Sequence, residues 1–124
     1  MRYLGIDFGL RKIGLAVSEG EIAAPLTVLH VKNKTDALKK IRETIDKERI
    51  EEIVIGVAES GAAAKMIESV TIVALGIPVH KVDETLSTYN AKRQMIEEGL
   101  GKKKRMEDDA YSAALILQEY LDSI

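Results

Sequence analysis

The chain has 124 residues, 46% hydrophobic and 31% charged, with a formal net charge of -2, no cysteine and no tryptophan. That length and balance describe one core-forming domain spanning residues 1–124; they exclude disulfides and cysteine-ligated zinc, and they leave nucleic-acid binding only to a local basic patch. With aromatic residues at 4% no base-stacking platform for single strands is expected, and no apolar run approaches the ~20 residues that span a bilayer, so no membrane segment is expected.

The first predicted element is a strand, Tyr3–Phe8, apolar apart from Asp7. It breaks at Gly9-Leu10-Arg11-Lys12 and resumes as Ile13–Val17, the pattern of a β-hairpin. Because the chain enters this strand almost at once, no signal peptide is expected, and the cytoplasm is the expected compartment. Strand alternation puts Tyr3, Gly5 and Asp7 on one face and Leu4, Ile6 and Phe8 on the other. Asp7 then lies on a glycine-lined face that a phosphate or metal could approach closely. It equally suits an aspartate capping a turn before glycine. Ile22–Val31 reads as a third strand, with Pro25 in a position that strand starts and edges tolerate. Asn33 or Thr35 can cap a helix carrying Ala37, Leu38, Ile41 and Ile45 at helical spacing. Ile53–Val57 is a short, wholly apolar run, as expected of a central parallel strand. A helix follows within 58–76, ending at Gly76, then a fifth strand over Ile77–Asp83. Another helix is predicted from Leu86-Ser87-Thr88 to Gly99, then the basic loop Lys102-Lys103-Lys104-Arg105, then a last helix opened by Asp108-Asp109. The order predicts an α/β fold: an antiparallel hairpin region followed by right-handed crossovers, with helices on the sheet faces.

The acids fall at telling places. Asp7 is in the first strand, Asp83-Glu84 at the carboxyl end of the fifth, and Asp109 in the first turn of the last helix. Open α/β sheets form ligand sites beyond their strand carboxyl ends. If the fifth strand runs beside the first, Glu84 and Asp7 converge, and a helix crossing that edge adds Asp109. Carboxylates without cysteine suit hard, oxygen-seeking cations, Mg²⁺ or Mn²⁺. Two such ions about 4 Å apart activate water and stabilise the leaving oxygen of a phosphodiester. Each acid also has a plain structural use: Asp108 and Asp109 favour a helix N-terminus, Asp83 suits a turn, and Glu84 can pair with a lysine. His30 and His80 stand alone on strands and read as packing residues.

These motifs resemble the YqgF/RuvX family of Holliday-junction-resolvase-like proteins, which is also assigned a nuclease role in maturing the 5′ end of the 16S ribosomal RNA precursor. The family's opening, Asp-x-Gly, a basic pair and Ile-Gly-Val-Ala, is similar to Asp7-Phe8-Gly9, Arg11-Lys12 and Ile13-Gly14-Leu15-Ala16. Its Ala-x-Pro-Leu segment resembles Ala23-Ala24-Pro25-Leu26. Its Val-Asp-Glu-Arg-Leu-Thr-Thr segment is similar to Val82-Asp83-Glu84-Thr85-Leu86-Ser87-Thr88, with Ala91 and Arg93 after it. Its closing motif lands on Asp109, Ala113-Ala114 and Ile116-Leu117-Gln118-Glu119-Tyr120-Leu121. The resemblance implies an RNase H-like fold, with a five-stranded mixed sheet whose strands 1–3 are antiparallel and strands 4–5 parallel. It implies a nuclease whose catalytic and metal-binding carboxylates are Asp7, Glu84 and Asp109, working with Mg²⁺ or Mn²⁺. The substrate would be ribosomal precursor RNA or branched DNA, and the chain a monomer or homodimer.

Two departures stand out. Thr85 replaces the family's arginine, and Gly56–Gly61 is shorter and more acidic than the family's loop. Arg11, Lys12, Lys92, Arg93, Lys102, Lys103, Lys104 and Arg105 are the candidate phosphate contacts, since phosphate contacts position a nucleic-acid strand. Two other functions fit parts of the pattern. Thr85 and the altered loop suit a non-catalytic RNA- or ribosome-associated module. Asp7-x-Gly9 with Gly14 also resembles the first phosphate loop of the actin/Hsp70 nucleotide-binding fold, although that architecture uses two such domains.

Overall fold

The first strand, β1 (Arg2–Phe8), is the one on which the others assemble. The structure is a computed structural model and describes residues 1–9, 11–57, 61–83 and 108–124. β1 pairs antiparallel with β2 (Lys12–Glu19), which pairs antiparallel with β3 (Ala23–His30). On its other side β1 pairs in parallel with β4 (Glu52–Val57), which pairs in parallel with β5 (Val79–Asp83). The strand order is therefore β3-β2-β1-β4-β5, the mixed sheet the sequence predicts. One expectation is corrected: β5 does not run beside β1. Both edges of β1 are already taken, by β2 and β4, and the chain leaving β4 adds β5 at the free edge of β4. Two inter-strand spacings, roughly 10 Å, separate β1 from β5.

Helices cover both faces. α1 (Lys34–Glu48) and α2 (Gly61–Val73) pack on one face, and α3 (Asp108–Ser123) on the other. The alternation along β1 decides which residue meets which layer. Leu4 and Ile6 join Ile13, Leu15, Ile53 and Ile55 under α1 and α2, all fully buried or nearly so. Burying each such side chain is worth about 1.5–3 kcal/mol. Tyr3 points to the opposite layer, with Ala16, Val54, Ala113, Ile116 and Leu117. α1 starts at Asn33, whose side-chain oxygen accepts from the Asp36 N–H at 2.8 Å, one of the two caps the sequence offers. α2 ends three residues earlier than expected, at Val73, and the chain turns through Leu75 (φ 52°) and Gly76 (φ 93°). Pro25 lies at a bulge in the edge strand β3, where its missing N–H breaks no ladder.

Gln118 ties α3 to the start of β3. Its Oε1 accepts from the Ala23 N–H at 2.9 Å, and its Nε2 donates to the Glu21 carbonyl and to Asp122 at 2.9 Å each. Among the described residues no helix is long and apolar enough to cross a membrane. The helix predicted from Leu86 to Gly99 lies outside the described residues.

Candidate functional site

Asp7 is the penultimate residue of β1 and is half-buried. Its two cross-strand partners are both glycines, Gly14 on β2 and Gly56 on β4. Directly paired residues share a face, so Asp7, Gly14 and Gly56 form a row on the side covered by α3. Here the sequence expectation changes. The glycine face is not left open for a ligand; it receives the helix. A Cβ built on Gly5 would lie 2.8 Å from the Ala113 carbonyl oxygen and 2.8 Å from the Leu117 Cβ. A Cβ on Gly14 would lie 1.8 Å from the Asp109 carbonyl oxygen. Glycine in these strands serves the close approach of another backbone.

That contact assembles the site. Gly14 is Asp7's partner, about 5 Å away between side-chain positions, and the Asp109 backbone rests on Gly14. The backbone of Asp109 is thus brought over the cross-strand partner of Asp7, near the carboxyl end of β1. Asp109 is half-buried in the first turn of α3, where the helix dipole favours negative charge. β1, β4 and β5 run in parallel, so Phe8, Val57 and Asp83 end at the same edge of the sheet. Glu84 follows Asp83 directly but lies outside the described residues, as do Lys92, Arg93, Lys102, Lys103, Lys104 and Arg105.

Arg11 and Lys12 are exposed at the β1–β2 turn, beside this edge. The turn is held by the Gly9 N–H, which donates to the Lys12 carbonyl at 2.8 Å, and by the Val31 N–H, which donates to the Arg11 carbonyl at 3.0 Å. Strand alternation places Lys12 on the same face as Gly14.

The two histidines lie at opposite ends of the sheet, His30 across from Lys12 and His80 near the start of β5. His80 pairs with Val54 near the opposite end of the parallel strands and stacks on Tyr120, centroids 4.7 Å apart. Its Nε2 is 3.5 Å from Glu52, close enough for an ion pair but without hydrogen-bond geometry. Burial, then the neighbouring Glu52 carboxylate, raises the phenol of Tyr3 above its ordinary value, and the same two causes act on Tyr120. His30 is exposed at the end of β3, where its carbonyl accepts from Lys40. His80 is a packing residue, as its isolation in sequence suggests; His30 is not, being exposed at the edge strand.

Among the described residues no group of three or more histidine, cysteine or acidic side chains is preformed around a metal. The pair Asp7 and Asp109 offers oxygen donors only, which suits Mg²⁺ or Mn²⁺ and not a soft metal. The sequence reading missed the part played by Gly14 and Gly56. Their signal was a glycine inside an otherwise apolar strand.

Comparison with known proteins bears on this geometry. A family model described as RuvX, Holliday junction resolvase, matches residues 1–123. A protein of Protochlamydia amoebophila that carries the provisional name pre-16S rRNA nuclease is 41% identical over 140 residues, covering 98% of this chain and 93% of that protein. The fowlpox virus Holliday junction resolvase has a similar fold, with a TM-score of 0.69 at 11% identity over 99% of each chain. Thermus thermophilus RuvC, solved with a Holliday junction substrate, follows with a TM-score of 0.63 at 20% identity, covering 99% of this chain and 94% of that one. The sheet order and helix placement described above are those of this RNase H-like fold.

Proposed function

This chain belongs to the RuvX family, and on that premise we propose that it is a divalent-metal-dependent nuclease whose catalytic carboxylates are Asp7, Glu84 and Asp109. The observation that carries the reading is the seat of the Asp109 backbone on Gly14, the cross-strand partner of Asp7. That seat supports the reading, because it sets the backbones of two of the three acids near one sheet edge, where α/β folds bind ligands. Glu84, next after Asp83 at that edge, would complete the set.

Asp7, Glu84 and Asp109 would hold Mg²⁺ or Mn²⁺, which supplies an activated water and charge neutralisation at the scissile phosphate. The rest of the work belongs to the chain. The β1–β2 turn presents Arg11 and Lys12 beside the acids, where they position a phosphate backbone without contributing ligands. Lys92, Arg93, Lys102, Lys103, Lys104 and Arg105 extend that role over a longer stretch of nucleic acid. The substrate we favour is the 5′ end of the 16S ribosomal RNA precursor, supported by the name of the Protochlamydia relative. Branched DNA is the second substrate class, supported by the description of the family.

The test is cleavage of labelled ribosomal precursor RNA and four-way DNA junctions, side by side, with Mg²⁺ and with Mn²⁺. Cleavage of either, lost in Asp109→Asn, supports the nuclease reading, and the preferred substrate decides between the two classes. Binding without cleavage by a folded, metal-loaded chain would instead support a non-catalytic RNA-associated module.

A further inference from the structure

We propose that Gly14 is a positioning residue: lacking a side chain, it lets the first turn of α3 rest on β2 and so sets how far Asp109 stands from Asp7. The proposal rests on the reading of Asp7 and Asp109 as metal ligands and adds to it a residue that carries no donor of its own.

The argument is steric. A Cβ at Gly14 would lie 1.8 Å from the Asp109 carbonyl oxygen, 2.2 Å from its carbonyl carbon and 2.9 Å from the Ala110 nitrogen. All three are backbone atoms of a helix whose inner face, Ala113, Ile116 and Leu117, is buried against the sheet. None can rotate away. Relieving the overlap to even 3.0 Å, the limit below which real Cβ atoms essentially never sit, moves the turn carrying Asp109 by more than an ångström. Gly14 pairs directly with Asp7, so that movement carries Asp109 away from the strand pair that holds Asp7. A cation that demands near-ideal octahedral geometry tolerates such a change poorly.

The other glycines beneath α3 provide a graded comparison. At Gly5 the overlap is smaller, 2.8 Å to the Ala113 carbonyl and to the Leu117 Cβ, and it falls further along the helix from Asp109. At Gly56 the obstacles are Cδ1, Cγ1 and Cγ2 of Ile116 at 2.3, 2.9 and 3.3 Å, all side-chain atoms and none of the helix backbone that carries Asp109. Substitution by alanine should therefore displace Asp109 in the order Gly14, Gly5, Gly56.

The experiment measures Mn²⁺ affinity by calorimetry, together with cooperative unfolding in chelator. The chains compared are wild type, Asp109→Asn, Asp109→Glu, Gly14→Ala, Gly5→Ala, Gly56→Ala and the double variant Gly14→Ala/Asp109→Glu. The expected result is a folded Gly14→Ala chain with affinity lowered by about tenfold or more, the range seen when the groups orienting metal ligands are removed. Gly5→Ala should lose less, and Gly56→Ala should stay within about twofold of wild type. Asp109→Glu alone should weaken binding. In the double variant the extra methylene spans the widened gap, so it should bind more tightly than Gly14→Ala, a rescue that a merely structural glycine would not allow. Where Gly14→Ala does not fold, the Gly5→Ala result decides: reduced affinity supports the proposal and unchanged affinity overturns it. A folded Gly14→Ala chain with wild-type affinity, or a double variant no better than the single one, overturns the proposal and leaves the metal site standing. A wild-type chain that does not bind Mn²⁺ overturns the site reading, and the proposal with it.

Discussion

Replacing Gln118 by alanine tests whether the closing motif of this chain is structural or chemical. Gln118 sits between the first turn of α3, which carries Asp109, and its C-terminus, and it makes three hydrogen bonds of 2.9 Å, two of them to the backbone of Glu21 and Ala23. The Ala23 N–H bond is part-buried, and leaving that donor without a partner costs about 1–2 kcal/mol, towards the lower part of the usual range because water can partly reach it. The other two bonds are exposed; the one to Asp122 is an i,i+4 helix pair worth about 0.2–0.5 kcal/mol, and the one to the Glu21 carbonyl is of similar size. The sum is about 2 kcal/mol. For 124 residues the unfolding entropy is roughly 0.26 kcal/mol/K, so the melting temperature should fall by about 8 °C. Asp122→Ala, which removes only the helix pair, should cost about a quarter of that. Thermal and urea unfolding in chelator measure the destabilisation, and Mn²⁺ titration of the folded variant checks the site. A Gln118→Ala chain as stable as wild type, or one that stays stable but no longer binds Mn²⁺, refutes the assignment of Gln118 as the clamp between α3 and β3.

Three further outcomes are expected. Asp7→Asn and Asp109→Asn should each abolish cleavage while leaving a cooperative unfolding transition, and each should shrink the stabilisation by Mn²⁺, which for a wild type at ~100 times the dissociation constant is about 2.7 kcal/mol; melts with and without chelator measure it. Neutralising Lys102, Lys103, Lys104 and Arg105 together should lower the slope of log affinity against log salt by about 0.9 for each duplex phosphate that the loop no longer neutralises, read from filter binding across a salt series. Tyr3 and Tyr120 hold their protons above the ordinary value of 10.0, so the unfolded chain releases them first. Their contribution is therefore complete below about pH 10 and is lost as pH rises through the folded values, and Tyr3→Phe should flatten the fall of the urea midpoint above pH 10.

Much of the architecture is legible locally. The alternation in Tyr3–Phe8 already separates the α1/α2 layer from the α3 layer, because a strand has a period of two whatever surrounds it. Asn33 announces its helix because capping is a property of a few consecutive residues. The wholly apolar Ile53–Val57 announces a central strand because both its faces must be covered. The motifs around Asp7 and Asp109 likewise mark the acids without any coordinates.

Other features depend on residues distant in sequence. Nothing in Ile77–Asp83 says that β5 joins β4 and not β1; that follows from β2 and β4 having already filled both edges of β1. The face of Gly5 and Asp7 reads in sequence as open to a ligand, yet a helix about a hundred residues further along from Gly5 fills it, over Gly14 and Gly56 as well. Gln118 reads as one letter of a motif until β3 is placed beside it. The sequence by itself determined the five strands, the helices among the described residues and their faces, because these depend on side-chain identity and local spacing. Only the tertiary structure decided that the Asp109 backbone sits on Gly14, the cross-strand partner of Asp7, because that placement comes from packing a helix backbone on a glycine, a contact between segments far apart along the chain.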